Sequence, residues 1–476
     1  MSLVTVSIVI TVLYVAFMIA VGAYASRRST GTMGDYFLAG GQIGWIAFSL
    51  TLFATWMSTF AFLGSPGFYY RMGVNWLVPH GFLVVASPFL LWFLGRRLWK
   101  LGRSQGHMTP GDFFESQFKS RTVRYLSAVV CLLALVPYCL IQLVGIGKVV
   151  DASTGGLVSY QLAVSVASLA ILAYSLLGGV RAVIWTDAIQ ALIFAVILVG
   201  GAVSFLIATA NFPATVAMAE QIQPGVTTFD ASQFGWPLTL LVMWGFGYIL
   251  TPHMWQRIYM TDSAAHLSRG VIVGTVLAFF VIAIPSLLIG VLARGAGLEV
   301  ADTDTLMVAV FTNYAHWLLP LLMVGAVSAG MSTVDSQLLT ASSIIARDIS
   351  GQRNPASSAH ISRLTVLAGV LLLWAVSLSP ARDGAIVLLA SKGIAIALLL
   401  LVPMLGGLFL KQPRALAASS ALIVGGITLL VLESGIMPVS LPFGVGPALA
   451  ALFMQAFVFI IVQVAVRDRI AVASGG

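Results

Sequence analysis

The chain has 476 residues, of which 59% are hydrophobic and only 8% are charged, and its formal net charge is +8. Soluble globular domains carry about 25% charged residues, so this composition excludes a soluble protein. Apolar runs of about 20 residues recur along the whole chain, each long enough to cross a bilayer. They are continuous and not alternating, which excludes a β-barrel. The sequence therefore predicts an all-α integral membrane protein with one polytopic domain, residues 1–476.

Thirteen transmembrane helices are predicted from these runs. Their ranges are 3–25, 43–71, 75–98, 121–150, 157–177, 183–208, 235–258, 267–292, 316–346, 361–379, 384–410, 415–432 and 446–466. With the N-terminus outside, nineteen of the 24 lysines and arginines, Arg257 among them, are assigned to the cytoplasmic loops and four to the opposite loops. The positive-inside rule then places the C-terminus in the cytoplasm of a bacterial inner membrane. This asymmetry explains the basic net charge without a nucleic-acid partner.

Two of the predicted spans are interrupted by helix-breaking residues. The second, 43–71, has hydroxyl side chains at its centre followed by GSPG, and the seventh, 235–258, is interrupted by Gly245, Gly247 and Pro252. Broken backbone at membrane depth is tolerated where it lines a cavity or packs in protein. Paired breaks in two halves of opposite direction indicate a transporter binding site in an inverted repeat. The alternative is that glycine and proline only kink packed helices.

The ninth span, 316–346, carries a polar stripe. Steps of three and four residues place these on one helix face: Gly325, Ser328, Ser332, Asp335, Ser336, Thr340 and Ser343. A carboxylate at this depth must be paired, protonated or bound to a cation, and no basic residue lies one turn away on this span. Oxygen ligands suit hard cations, so the stripe predicts a cation site. Helix packing alone explains the serines but explains Asp335 poorly.

Four stretches together resemble the solute:sodium symporter family. They are ATWMSTFAFLGSPG at 54–67, YSLLGGVRAVIWTDAIQ at 174–190, TPHMWQRIYMTDS at 251–263 and MSTVDSQLL at 331–339. The motifs are most similar to the pantothenate and monocarboxylate branch, and the resemblance covers about residues 3–468. It implies a LeuT-like core of five plus five inverted-repeat helices at 43–410. A peripheral helix at 3–25 and two more at 415–466 would flank this core.

The resemblance implies two cation sites. A sodium site between spans 2 and 9 would be formed by the carbonyls of Ala54, Met57 and Ala329 and the hydroxyls of Ser332 and Thr333. A second cation site, present in some members between spans 6 and 9, would match Asp187, Ser332, Asp335 and Ser336. Many two-sodium members have serine where this chain has Asp335, so we expect Asp187 and Asp335 to share a cation, or Asp335 to carry a proton. Alternatively, Asp187 only stabilises the start of its helix.

The solute is expected beside the two breaks, near the bilayer midplane. The outer half of span 2 begins near Ser58 and Thr59, and free amide groups there would favour an anion. Trp56 stands where proline transporters of the family have aspartate, and Gln142 matches a glutamine of the pantothenate and monocarboxylate branch. Further residues expected to line the site are His80, Tyr138, Trp244 and Tyr248. For each of them ordinary packing is the alternative.

Lys392 has no counterpart in the family pattern. It lies eight or nine residues into span 11, too deep for its ammonium to reach the membrane interface easily, so we expect it to face the core. There it would pair with a substrate carboxylate. The alternatives are that it neutralises an acidic neighbour or acts as a proton-linked switch.

The sequence as a whole predicts a sodium-coupled secondary active symporter of a small organic carboxylate, working by alternating access as a monomeric unit. Its partners would be the solute, Na+ and the lipid bilayer, with no organic cofactor. One alternative is a proton-coupled symporter of an amino acid or another solute, and another is a transporter-like solute sensor. A channel would need an open polar path, and no constellation of catalytic side chains suggests an enzyme.

Overall fold

The computed structural model describes residues 2–26, 32–177, 179–230, 239, 241–352, 354–435 and 445–474. These residues are almost entirely helical, and the strand-like pairing among them is one isolated bridge between Ile43 and Thr261. Arg27, Arg28 and Arg353, which the topology prediction uses, lie outside the described residues, as does 235–238 at the start of the seventh predicted span.

Twenty α-helices are described in chain order. They are α1 Leu3–Ser26, α2 Met33–Leu38, α3 Trp45–Trp56, α4 Ser65–Met72, α5 Leu77–Gln105, α6 Pro110–Phe118, α7 Arg121–Thr154, α8 Tyr160–Leu177, α9 Val180–Ala208, α10 Phe212–Ile222, α11 Pro252–Met260, α12 Ala264–Ala278, α13 Ile284–Gly295, α14 Leu306–Tyr314, α15 Leu319–Ile344, α16 Pro355–Ser377, α17 Ile386–Leu398, α18 Leu401–Phe409, α19 Ala415–Glu433 and α20 Pro447–Ser474. Polar caps begin several of them, such as Ser120 for α7 and Ser263 for α12.

Ten helical segments of the described chain are long and apolar enough to cross a membrane, and two shorter apolar helices, Trp45–Trp56 and Tyr160–Ala173, accompany them. Helices satisfy their own backbone hydrogen bonds, which is the condition for crossing the hydrocarbon core. The all-α membrane class predicted from the sequence is confirmed. The number of thirteen spans stays a prediction.

Helix α15 lies at the centre of the bundle. The most apolar part of its segment is 78% buried and that of α7 67%, against 17% for α1 and 22% for α16. Helix α15 packs on α1, α7 and α9, and α3 packs on α9 and α12. The polar stripe of α15 therefore faces protein on several sides.

Both predicted breaks are present. Helix α3 ends at Trp56, Met57 leaves the helical region with φ −81° and ψ 63°, and a π-helical turn over Phe60–Gly64 precedes α4. In the seventh span a π-helical turn and a 3-10 turn lead to Thr251, which is extended at φ −60° and ψ 135° before α11 begins. A side chain at Gly245 would lie 2.1 Å from the ring of Phe82, which explains a glycine there.

Candidate functional site

The hydroxyl stripe of α15 forms a polar seam with three other helices. The contacts are Ser328 Oγ donating to the Tyr14 hydroxyl at 2.7 Å, Ser332 Oγ donating to the Ala54 carbonyl at 3.4 Å, Arg257 Nη2 donating to Ser336 Oγ at 3.0 Å, Thr340 Oγ1 donating to Gln256 Oε1 at 2.5 Å and Gln256 Nε2 donating to Ser343 Oγ at 2.9 Å. Along the chain the stripe thus meets first α1, then α3, and then α11 over its last three positions. These contacts answer why a helix in an apolar bundle carries so many hydroxyls.

Four of the five predicted sodium ligands lie together where α3 ends against α15. Ser332 Oγ lies 3.4 Å from the Ala54 carbonyl oxygen and 3.1 Å from that of Ala329, and Thr333 Oγ1 lies 3.3 Å from the Ala329 carbonyl. Met57, the fifth, caps α3 with its amide on the Phe53 carbonyl and is fully buried. The last carbonyls of a helix carry partial negative charge, so this corner is suited to a cation.

Asp187 is held by an ion pair that was not predicted from the sequence. Its Oδ2 accepts hydrogen bonds from Thr51 Oγ1 at 2.5 Å and from Arg257 Nη2 at 3.1 Å. Arg257 is 2% exposed and Asp187 fully buried, so the assignment of Arg257 to a cytoplasmic loop is wrong. The signal was present, because an arginine inside a predicted span faces the protein interior and seeks a partner.

Asp335 lies on α15 between the contacts to α3 and α11. It is 2% exposed, its Oδ1 accepts the backbone amide of Ser336 at 2.6 Å, and it interacts electrostatically with Tyr14 of α1. The sharing of one cation by Asp187 and Asp335 stays a prediction. Asp187 uses one carboxylate oxygen for Arg257, which leaves its Oδ1 without a hydrogen-bond partner among the described residues.

Five of the predicted solute-contacting residues line one cavity between the two broken segments. They are Trp56, His80, Tyr138, Trp244 and Tyr248, joined by apolar side chains and without an aspartate or glutamate. The space left for water-sized molecules is about 20 Å³, room for about one water. The rings of Phe60 and Trp244 stack there with centroids 4.6 Å apart. The centre is therefore closed in this conformation.

Ser58, Thr59 and Gln142 lie beside this cavity. Gln142 Oε1 accepts both the Thr59 amide at 3.1 Å and the Thr59 hydroxyl at 2.9 Å, while Gln142 Nε2 donates to the Tyr138 carbonyl at 3.0 Å. The Ser58 hydroxyl lies beside that of Tyr138. The expectation of a free amide at Thr59 is wrong, because a buried N–H finds an internal acceptor and Gln142 supplies it.

Lys392 does not face the core. Its side chain is exposed on the surface of α17, whereas its neighbours Ser391 and Gly393 are buried. The predicted place for its ammonium beside the substrate is therefore wrong. Helix α17 packs against α7, and this packing leaves the face that carries Lys392 on the outside of the bundle.

Comparison with known proteins gives the family. The model of the sodium:solute symporter family matches residues 36–425. The chain belongs to this family. A sodium/pantothenate symporter of Escherichia coli K12 is 28% identical over 442 residues, covering 89% of both chains, and one of Haemophilus influenzae is 26% identical over 447 residues. A sodium/proline symporter of Escherichia coli K12 is 28% identical over 414 residues, which cover 80% of this chain and 78% of that one.

Solved structures show the fold of this symporter. A sodium-coupled sialic acid symporter in an outward-open, substrate-bound state aligns with a TM-score of 0.81 at 19% identity, covering 96% of both chains. MHP1, a nucleobase-cation-symport-1 family transporter, aligns with a TM-score of 0.57 at 12% identity and covers 89% of this chain. The LeuT-like architecture with broken helices, predicted from the sequence, is confirmed by these likenesses.

Proposed function

We propose that this symporter moves a small organic carboxylate, of the monocarboxylate or pantothenate kind, together with Na+ by alternating access. The observation that carries the solute class is the chemistry of the central cavity. Trp56 and Trp244 both line it, and their buried indole N–H groups find no acceptor among the described residues. Buried donors without acceptors are costly, so an acceptor-rich solute is favoured. An ammonium group would meet no carboxylate in the lining.

Relatives agree with this choice without deciding it. Two pantothenate symporters match over about nine tenths of their length, and proline symporters match at similar identity. Trp56 separates the two possibilities, since the resemblance places aspartate at this position in proline transporters. A tryptophan offers one N–H donor and an apolar face, which suits a carboxylate or carbonyl oxygen and does not suit an amino group.

The proposed coupling site is the corner where α3 ends against α15. Na+ bound by Ala54, Met57, Ala329, Ser332 and Thr333 would connect the break in α3 to the central helix. Binding there would favour the conformation in which both elements are in contact, and the solute beside the same break would bind to that conformation. The membrane potential adds about 2.3 kcal/mol per net positive charge per 100 mV.

The aromatic pair Phe60 and Trp244 is the proposed barrier to the solute. Both rings border the cavity and stack across it, one from each broken segment. A solute larger than water requires them to separate, which couples solute entry to movement of the two segments.

We further propose that the N-terminus is outside, that the C-terminus is cytoplasmic in a bacterial inner membrane, and that the monomer is the working unit.

Uptake by purified protein in proteoliposomes tests the solute class. Labelled pantothenate, pyruvate, lactate, acetate and proline are offered separately with an inward Na+ gradient. We expect accumulation of one of the carboxylates and none of proline. Accumulation of proline alone would overturn the proposed solute class and leave the symporter class intact.

A further inference from the structure

The first helix reaches the polar seam through one side chain. Most of α1 faces outward, but Tyr14 is only 7% exposed. Its hydroxyl accepts a hydrogen bond from Ser328 Oγ of α15 at 2.7 Å and one from Gln190 Nε2 of α9 at 3.2 Å. A helix at the edge of the bundle therefore makes a buried polar contact with both helices that carry the acidic residues of the seam.

Two oxygen atoms on α9 are available beside this contact. Asp187 and Gln190 are three residues apart, so they share one face of the helix, and both are fully buried. Asp187 Oδ1 and Gln190 Oε1 have no hydrogen-bond partner among the described residues. A buried oxygen acceptor without a partner is destabilising, so two of them on adjacent turns require an explanation.

The other contacts of Asp187 and Gln190 fix where these oxygens lie. Arg257 holds Asp187 Oδ2, and Tyr14 holds Gln190 Nε2, so each side chain is fixed at one end and offers an oxygen at the other. Helix α9 packs on both α1 and α15. Carboxylate and amide oxygens are ligands for hard cations such as Na+.

The family resemblance already implies a second cation site at Asp187, between α9 and α15. We propose that Gln190 supplies its amide oxygen to that cation as a further ligand beside Asp187 Oδ1, and that Tyr14 of α1 positions Gln190 and Ser328 for it. The inference rests on the proposed sodium coupling and adds to it. Tyr14 is a positioning residue, since it acts through the groups that bond to its hydroxyl. The first helix thereby becomes part of the ion-coupling machinery of this chain.

The sodium dependence of solute uptake in proteoliposomes tests this. Tyr14→Phe keeps the ring and removes the hydroxyl, and we expect the Na+ concentration for half-maximal uptake to rise about 3- to 10-fold, with the solute KM at saturating Na+ unchanged. Gln190→Leu should raise it by at least as much. Gln190→Glu keeps a ligand oxygen and can accept a hydrogen bond from the Tyr14 hydroxyl, so it should raise the value less than Gln190→Leu does. Binding of ²²Na+ to the purified variants, measured without solute, should follow the same order.

Thr11→Val is the matched control. Thr11 lies one turn before Tyr14 on the buried side of α1, and its hydroxyl donates within the helix, to the Ser7 carbonyl at 2.7 Å. We expect its Na+ dependence to equal that of the wild type. If Tyr14→Phe and Gln190→Leu change the amount of folded protein or the maximal rate but leave half-saturation by Na+ and ²²Na+ binding unchanged, the inference is wrong. Wild-type uptake without any Na+ dependence would instead defeat the proposed function itself.

Discussion

Arg257 and Asp187 form a buried ion pair, with Arg257 Nη2 3.1 Å from Asp187 Oδ2 and the side chains 2% and 0% exposed. The same Nη2 donates to Ser336 Oγ, and Arg257 Nε donates to the Thr51 carbonyl. One guanidinium therefore joins α3, α9, α11 and α15. Because α3 and α11 adjoin the two breaks, this contact links both broken segments to the central helix.

Breaking this pair from one side should destabilise the protein strongly. Arg257→Gln leaves the Asp187 carboxylate buried without its counter-charge, which should lower the free energy of unfolding by about 3–5 kcal/mol. Asp187→Asn leaves the Arg257 guanidinium buried without its counter-charge and should cost a similar amount. The double variant should lose less stability than the sum of the two. Thermal unfolding of the purified protein in detergent measures this, with the exposed Arg269→Gln as control. Additive losses would show that the two side chains are not coupled.

Removing the Ser332 hydroxyl should weaken sodium coupling. Ser332→Ala deletes the side-chain oxygen that lies against the carbonyls of Ala54 and Ala329, so we expect the Na+ concentration for half-maximal uptake to rise about 3- to 10-fold. Ser342→Ala is the matched control, because this equally buried hydroxyl on α15 lies against Ser362 of α16 and away from the breaks. Equal shifts in both variants would contradict a sodium site at Ser332.

The two indole donors should determine solute affinity. Trp244→Phe and Trp56→Phe each keep an aromatic ring and lose one N–H, so the solute KM should rise about 5-fold for a single lost hydrogen bond. Trp255→Phe is the control, since Trp255 is a buried tryptophan that packs on Phe113 and Phe114 and is not among the residues that line the cavity. Unchanged KM values for both cavity variants would mean that the solute accepts no hydrogen bond from them.

Lys392 should have little influence on transport. Its side chain is exposed on α17 and is not among the residues that line the closed cavity. Lys392→Gln is expected to show wild-type KM values for both Na+ and solute. A rise of the solute KM by tenfold or more would restore the role first predicted from the sequence.

Much of the architecture follows from the sequence. The apolar runs determine the membrane class, and glycine, proline and hydroxyl residues marked both breaks, which the structure places at Met57 and Thr251. The spacing of the α15 stripe gave its face correctly, because polar residues stand out against an apolar helix.

Other features needed tertiary structure. The face of α17 that carries Lys392 could not be inferred, because the rest of that helix, apart from Ser391, is apolar and has no contrasting side. The amide of Thr59 was expected to be free because its acceptor, Gln142, comes from another helix. The role of Tyr14 could not be predicted from the sequence. A tyrosine in an apolar helix packs equally well with its hydroxyl hydrogen-bonded to any of many partners. Contacts between helices that are far apart in the sequence determine the surroundings of all three residues.

Sodium coupling is tested most directly by identifying the ion whose gradient drives solute accumulation. In proteoliposomes, accumulation of the transported carboxylate is compared under an inward Na+ gradient at equal pH and under an inward proton gradient at equal Na+. If Na+ is the coupling ion, the internal solute concentration exceeds the external one only with the Na+ gradient, and Ser332→Ala weakens this accumulation. Accumulation driven by the proton gradient alone, unchanged by Na+, would contradict sodium coupling in this protein.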